Sequence, residues 1–110
     1  MRFVFAFLIC CATTAAAQEY VQIATPDGAK ICALLVRPQT KARVPTLLQF
    51  TIYVDSAANV ADARRSTEHG YAGVIAYTRG KACSPDSKIE PYLHDGPDAA
   101  AVIDWIARQP

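Results

Sequence analysis

Residues 45–78, PTLLQFTIYVDSAANVADARRSTEHGYAGVIAYT, decide the fold. Pro45 leads into Thr46 to Tyr53, where Leu47, Leu48 and Phe50 predict a strand buried on both faces. Ser56 is placed to cap a helix running from Ala57 to His69, and Gly70 stands where a left-handed C-terminal residue belongs. On that helix Val60, Ala63 and Thr67 share one side, while Asp62, Arg65, Glu68 and His69 can stay in water. Ala72 to Tyr77 is a further short apolar strand. Strand, helix and strand of these lengths form a βαβ unit, whose right-handed crossover makes the two strands parallel.

Toward the N-terminus, Tyr20 to Ala24 alternates, with Val21 and Ile23 on one face. Pro26-Asp27-Gly28 is a turn in which proline presets φ and Asp-Gly tolerates the tight return. Ile31 to Val36 is a second apolar strand stopped by Pro38, so the pair predicts an antiparallel hairpin. Toward the C-terminus, the 17 residues from Thr78 to His94 carry no periodic pattern, which is long for a loop. They leave the carboxyl end of a parallel strand, where open α/β sheets place their ligand crevices. A last helix follows, capped by Asp95 or Gly96, with Pro97 at an early position where its missing N–H costs nothing. Ala99, Val102, Ile103 and Ile106 keep the spacing of one buried face. Asp98 near its start and Arg108 near its end suit the helix dipole, and Pro110 ends it.

The first residues have a different character. Arg2 is the only charge before Glu19, Phe3 to Ala12 is uninterruptedly apolar, and Ala15-Ala16-Ala17 offers a cleavage site before Gln18. This predicts a secretory signal peptide over residues 1–17 and a mature part over 18–110, exported to the periplasm or secreted. A lipoprotein signal at Cys10 or Cys11 fits less well, because neither follows a small Gly, Ala or Ser. The apolar run is half the length of a transmembrane helix, which argues against a stable membrane span. Of the 11 basic residues Arg2 leaves with the signal, so ten remain against ten acidic ones. Such a balance gives no electrostatic basis for a nucleic-acid partner.

The landmarks of the mature part come in a distinctive order. Thr51-Ile52-Tyr53 closes a strand, Arg79-Gly80 follows the next, and Asp95-Gly96-Pro97-Asp98 opens a helix that ends in Asp104-Trp105-Ile106 and Gln109-Pro110. This order resembles the first part of the cocaine-esterase / X-Pro dipeptidyl-peptidase family of α/β-hydrolases. The resemblance covers about Tyr20 to Pro110. It implies an α/β fold class: the N-terminal portion of an α/β-hydrolase sheet, incomplete here, with an antiparallel hairpin followed by βαβ and a further helix.

Members of that family attack an ester or amide carbonyl with a serine at a Gly-x-Ser-x-Gly turn, using a histidine as base and an aspartate to orient it. No such turn occurs in these 110 residues. Ser56, Ser66, Ser84 and Ser87 lack the flanking glycines and read as cap, surface or loop residues. In the family order the aspartate and histidine follow the serine, so the whole triad is expected beyond Pro110. His69 and His94 are accordingly poor candidates for the base, one closing a helix and the other settling the start of the last one.

One functional residue carries over. The family has a tyrosine just after the third strand, in a Thr-Pro-Tyr-like segment, whose hydroxyl helps form the oxyanion hole. Thr51-Ile52-Tyr53 keeps the threonine and tyrosine, with Ile52 in place of proline. Tyr53 is thus the expected oxyanion donor, against the bland alternative of a core tyrosine whose hydroxyl finds a backbone partner. The family's Asp-x-Arg-Gly-x-Gly-x-Ser appears as Tyr77-Thr78-Arg79-Gly80-Lys81-Ala82-Cys83-Ser84, where Tyr77 replaces the acid and Ala82 a glycine. Arg79 is expected to tie the loop to carbonyls or to an acid such as Asp95 or Asp98.

With the signal removed, Cys32 and Cys83 remain. Their spacing fits no metal motif, and no metal or cofactor is implied. Given the family's strand order, Cys32 can approach Cys83 in the long loop, and a disulfide between them stands beside two separately buried thiols.

Two function classes follow. In one, the chain is the N-terminal part of an exported serine hydrolase whose partner is a small-molecule ester or peptide-like substrate. In the other, it is a non-catalytic periplasmic module or degraded remnant of such a hydrolase.

Overall fold

The computed structural model describes residues 17–86 and 88–110. The expected signal peptide, apart from Ala17, and Ser87 lie outside the described residues. Six elements follow one another: β1 (Ala17–Ala24), β2 (Lys30–Arg37), β3 (Thr46–Thr51), α1 (Ser56–Glu68), β4 (Ala72–Tyr77) and α2 (Asp95–Ala107). Among the described residues no helix is long and apolar enough to cross a membrane.

The four strands form one sheet in the order β1-β2-β4-β3. β1 and β2 are the expected antiparallel hairpin, with Ile23 opposite Ile31 and Tyr20 opposite Leu34. Its turn closes through Thr25 N–H to the Ala29 carbonyl at 2.9 Å, with Gly28 at φ +91°. β2 runs antiparallel to β4, pairing Leu34 with Ile75. β3 runs parallel to β4, pairing Leu48 with Val74 and Thr51 with Tyr77, so the βαβ unit has the predicted form.

The alternation of side chains divides the core in two. On one face Ile23, Ile31, Ala33, Leu35, Val74 and Ala76 meet Val102 of α2. On the other, Cys32, Leu34, Val36, Ile75 and Tyr77 meet Ala63 of α1. β4 and the interior of β2, Ile31 to Val36, are therefore apolar because a helix covers each side of them. Gly73 of β4 is where α1 comes closest: a Cβ there would lie 2.8 Å from the Ala63 Cα.

Several expectations are corrected. β3 ends at Thr51 rather than Tyr53. Leu47 is 52% exposed and Gln49 is also exposed, while Thr46, Leu48 and Phe50 are half-buried, so β3 is not buried on both faces. Asp55, not Ser56, caps α1: its φ/ψ of −131°/96° is extended and its Oδ1 accepts the Ala58 N–H at 3.1 Å. Ser56 is then the first helical residue. Asn59 and Ala63 form the buried face of α1, with Val60 and Thr67 half-buried. His94, rather than Asp95 or Gly96, occupies the N-cap position of α2, and no side chain caps that helix. Ile103 is 56% exposed; Val102 and Asp98 are the buried positions of α2. That rotation places Asp98, a turn before Val102, against Arg79 just beyond β4, a pairing that a purely apolar periodicity does not register.

Candidate functional site

Parallel strands β3 and β4 point their carboxyl ends the same way, and the β1–β2 turn and the start of both helices lie at that edge. Tyr53 stands there, two residues past β3. Its N–H donates to Thr51 Oγ1 at 3.0 Å, and its side chain is 80% exposed. It is therefore not a core tyrosine in this chain.

Arg79, just beyond β4, organises the same edge. Its Nε and Nη2 donate to Asp98 Oδ2 and Oδ1 at 2.9 and 2.6 Å. Its Nη1 and Nη2 also reach Asp27 Oδ2 and Oδ1 at 3.0 and 3.2 Å. One planar guanidinium thus ties the hairpin turn, the end of β4 and the first turn of α2 together, using its fork on two carboxylates. The Asp98 side chain is 1% exposed and that of Arg79 11%, whereas Asp27 is open to solvent. Hydrogen bonds from Arg79, then from Thr25, hold the Asp27 carboxyl well below the usual carboxylate range. Asp98 first, then Asp27, raise the arginine above its already high value. The expected acid partner Asp98 is found; Asp27 was legible only as a turn residue.

The loop from Thr78 to His94 has no helix or strand among its described residues but is held at several points. Gly80, at φ +84°, donates its N–H to Ser84 Oγ at 3.1 Å. Ser84 Oγ in turn donates to the Lys30 carbonyl at 2.7 Å, and Lys30 N–H donates to Asp86 Oδ2 at 2.9 Å. Cys32 and Cys83 stand with Cα atoms 5.1 Å apart and their sulfurs at bonding distance. Ala82, where the resembled pattern has glycine, adopts φ +51°, a left-handed conformation that glycine takes without steric cost.

The other singled-out residues have structural settings. Ser56 is exposed at the start of α1, and the Ser66 carbonyl accepts N–H groups of His69 and Tyr71 at its end. His69 is an exposed C-cap residue. His94 pairs through Nε2 with Glu90 at 3.1 Å, and Glu90 also meets Lys88 at 2.7 Å. Lys88 first, then His94, lower the Glu90 carboxyl.

A second polar group was not legible in the sequence. Tyr77, fully buried at the end of β4, donates its hydroxyl to Asn59 Oδ1 at 2.9 Å. That oxygen also accepts the Asp55 N–H at 3.1 Å. Burial foremost, then the neighbouring Tyr20, raises the Tyr77 phenol, so it stays a neutral donor. An asparagine inside an otherwise small-residue helix face was the one available signal.

Among curated proteins none matches the chain. Solved structures share its fold. An alpha-amino acid ester hydrolase matches with a TM-score of 0.72 at 23% identity, over 99% of this chain and 21% of its own. DcsB, solved in complex with its substrate analogue, matches with 0.72 at 20%, over 86% of this chain and 33% of its own. An acetyl xylan esterase from Paenibacillus sp. R4 matches with 0.70 at 16%, over 89% of this chain and 38% of its own. The chain thus spans well under half the length of each, and its sheet corresponds to the N-terminal part of an α/β-hydrolase. The family model for X-Pro dipeptidyl-peptidases matches residues 27–110, from the hairpin turn through α2. With Tyr53, the Arg79 clamp and the long loop all at the carboxyl edge of such a sheet, the chain belongs to the X-Pro dipeptidyl-peptidase (S15) family, a family of hydrolases.

Proposed function

We propose that these residues are the N-terminal part of an exported serine hydrolase that cleaves acyl ester or peptide-like amide bonds, its nucleophile, base and orienting acid lying outside this chain. The observation that carries the reading is the placement of Tyr53: an exposed phenol just past the carboxyl end of β3, in a chain matched by the family model. In this reading a serine supplied by the rest of the domain attacks the acyl carbonyl as the histidine takes its hydroxyl proton. The carbonyl π electrons move onto oxygen, and the Tyr53 hydroxyl donates a hydrogen bond to the oxyanion so formed. Collapse of that intermediate expels the alcohol or amine, which takes its proton from the histidine. Water, deprotonated by the same histidine, then releases the acyl group from the serine, which takes back a proton. Removal of residues 1–17 during export would leave Cys32 and Cys83 in an oxidising compartment, closed as a disulfide that holds the long loop against β2.

Tyr53→Phe in a protein that includes the nucleophile tests the role. It removes the hydroxyl donor and keeps the ring, so kcat should fall by about a hundredfold. Because the side chain is 80% exposed, the melting midpoint should scarcely move. Near-normal turnover of a nitrophenyl ester would end the oxyanion assignment.

A further inference from the structure

Tyr53 lies on the short connection between Thr51, the last residue of β3, and Asp55, the cap of α1. An exposed tyrosine on such a connection serves as a donor in a fixed place only if the backbone beneath it is fixed. Both ends of the connection lead to the same residue. At the first end, Thr51 is the register partner of Tyr77, its carbonyl accepts the Thr78 N–H at 3.0 Å, and its Oγ1 accepts the Tyr53 N–H. At the second end, the Asp55 N–H is received by Asn59 Oδ1, the oxygen that also receives the Tyr77 hydroxyl. Asn59 N–H closes the ring by donating to the Asp55 carbonyl at 2.8 Å.

We infer that Tyr77 and Asn59 are positioning residues for Tyr53: the buried phenol orients the Asn59 carboxamide, which holds Asp55 and so fixes the segment carrying the exposed tyrosine. Neither side chain needs to touch substrate. Both are almost completely buried, so the carboxamide has little water to satisfy it and its oxygen is committed to these two donors. The network also gives a use to the departure at position 77, where the resembled pattern carries an acid. A phenol there reaches the same helix turn as a neutral donor, with no buried charge to balance. The inference rests on the proposed role of Tyr53 for its catalytic consequence, but its structural content is independent of that role.

The experiment is amide hydrogen exchange on the full-length protein, resolved at Asp55 and Tyr53 and referenced to Val74 in the core. Tyr77→Phe should speed exchange at Asp55 at least tenfold relative to Val74. Asn59→Leu, which removes the acceptor at similar size, should do the same. Asn59→Asp keeps acceptor oxygens for both donors at the cost of a buried charge, and should leave Asp55 exchanging more slowly, relative to Val74, than Asn59→Leu does; the Val74 reference guards against a variant that merely misfolds. Wherever turnover is measurable, Tyr77→Phe should lower kcat about tenfold with KM unchanged. An Asp55 amide that keeps its parental protection in Tyr77→Phe, or that accelerates only in step with Val74, overturns the inference. Failure of the oxyanion role shows differently: Tyr53→Phe would then leave kcat intact while the exchange pattern stands.

Discussion

Replacing Arg79 by methionine removes the clamp that joins the hairpin turn to the first turn of α2. The side chain satisfies both oxygens of Asp98, which is 1% exposed, and of Asp27, which is solvated. Removing the guanidinium leaves Asp27 to water but strands Asp98 as a buried carboxylate. Breaking such a pair from one side costs about 3–5 kcal/mol. The low end applies here, because Asp98 lies in the first turn of α2, where the helix dipole favours an anion by up to about 1 kcal/mol. A loss of about 3 kcal/mol corresponds to roughly 12–24 °C in the melting midpoint of a domain this size. The assay is thermal and urea unfolding of Arg79→Met, Asp98→Asn and the double variant at pH 7. The double variant should be more stable than Arg79→Met alone, because a neutral amide costs less to bury than an unpaired charge, and the coupling energy should exceed about 1.5 kcal/mol. A single-variant loss below about 1 kcal/mol, or additive single effects, would refute the claim that Arg79 and Asp98 form an interdependent buried pair.

Further outcomes follow from the same edge of the sheet. The Asp27 carboxyl is depressed in the folded state from an ordinary value of 3.8, so its contribution to stability is present above pH 4 and drains away as pH falls below it. Asp27→Asn should flatten that acid limb of a stability–pH curve, and an unchanged limb would show that other carboxylates set it. A link between Cys32 and Cys83, 51 residues apart, is worth about 4 kcal/mol in the chain-entropy model. Reductant should therefore lower the urea midpoint of the protein, and Cys83→Ser should abolish the difference between reducing and oxidising conditions. Ala82→Gly relieves a left-handed alanine by about 1–2 kcal/mol and returns about half of that as unfolded-chain entropy. The melting midpoint should consequently rise by a few degrees, and a fall would mean that the Ala82 methyl makes a contact worth more than the strain.

The sequence alone determined the elements whose signals are local. Pro26-Asp27-Gly28 marks the hairpin turn, Gly70 the end of α1, and the runs Ile31 to Val36 and Ala72 to Tyr77 the two central strands, because turn chemistry and apolar patterning act over a few residues. The order of landmarks from Thr51 to Pro110 was enough to point to the family. Tertiary structure decided everything that depends on which distant groups meet. The same apolar pattern describes strands at any place in a sheet, and only the folded chain gives the order β1-β2-β4-β3 among the described residues. Helical periodicity named Ile103 as buried, but the folded α2 turns Val102 and Asp98 inward, with Asp98 held by Arg79. Asp27, a turn residue by local reading, became the second carboxylate of a clamp 52 positions away along the chain. Tyr77 and Asn59 carry no local mark of their partnership, since hydrogen bonding between buried groups is fixed by where β4 and α1 pack, and packing is a property of the folded chain rather than of any window of it.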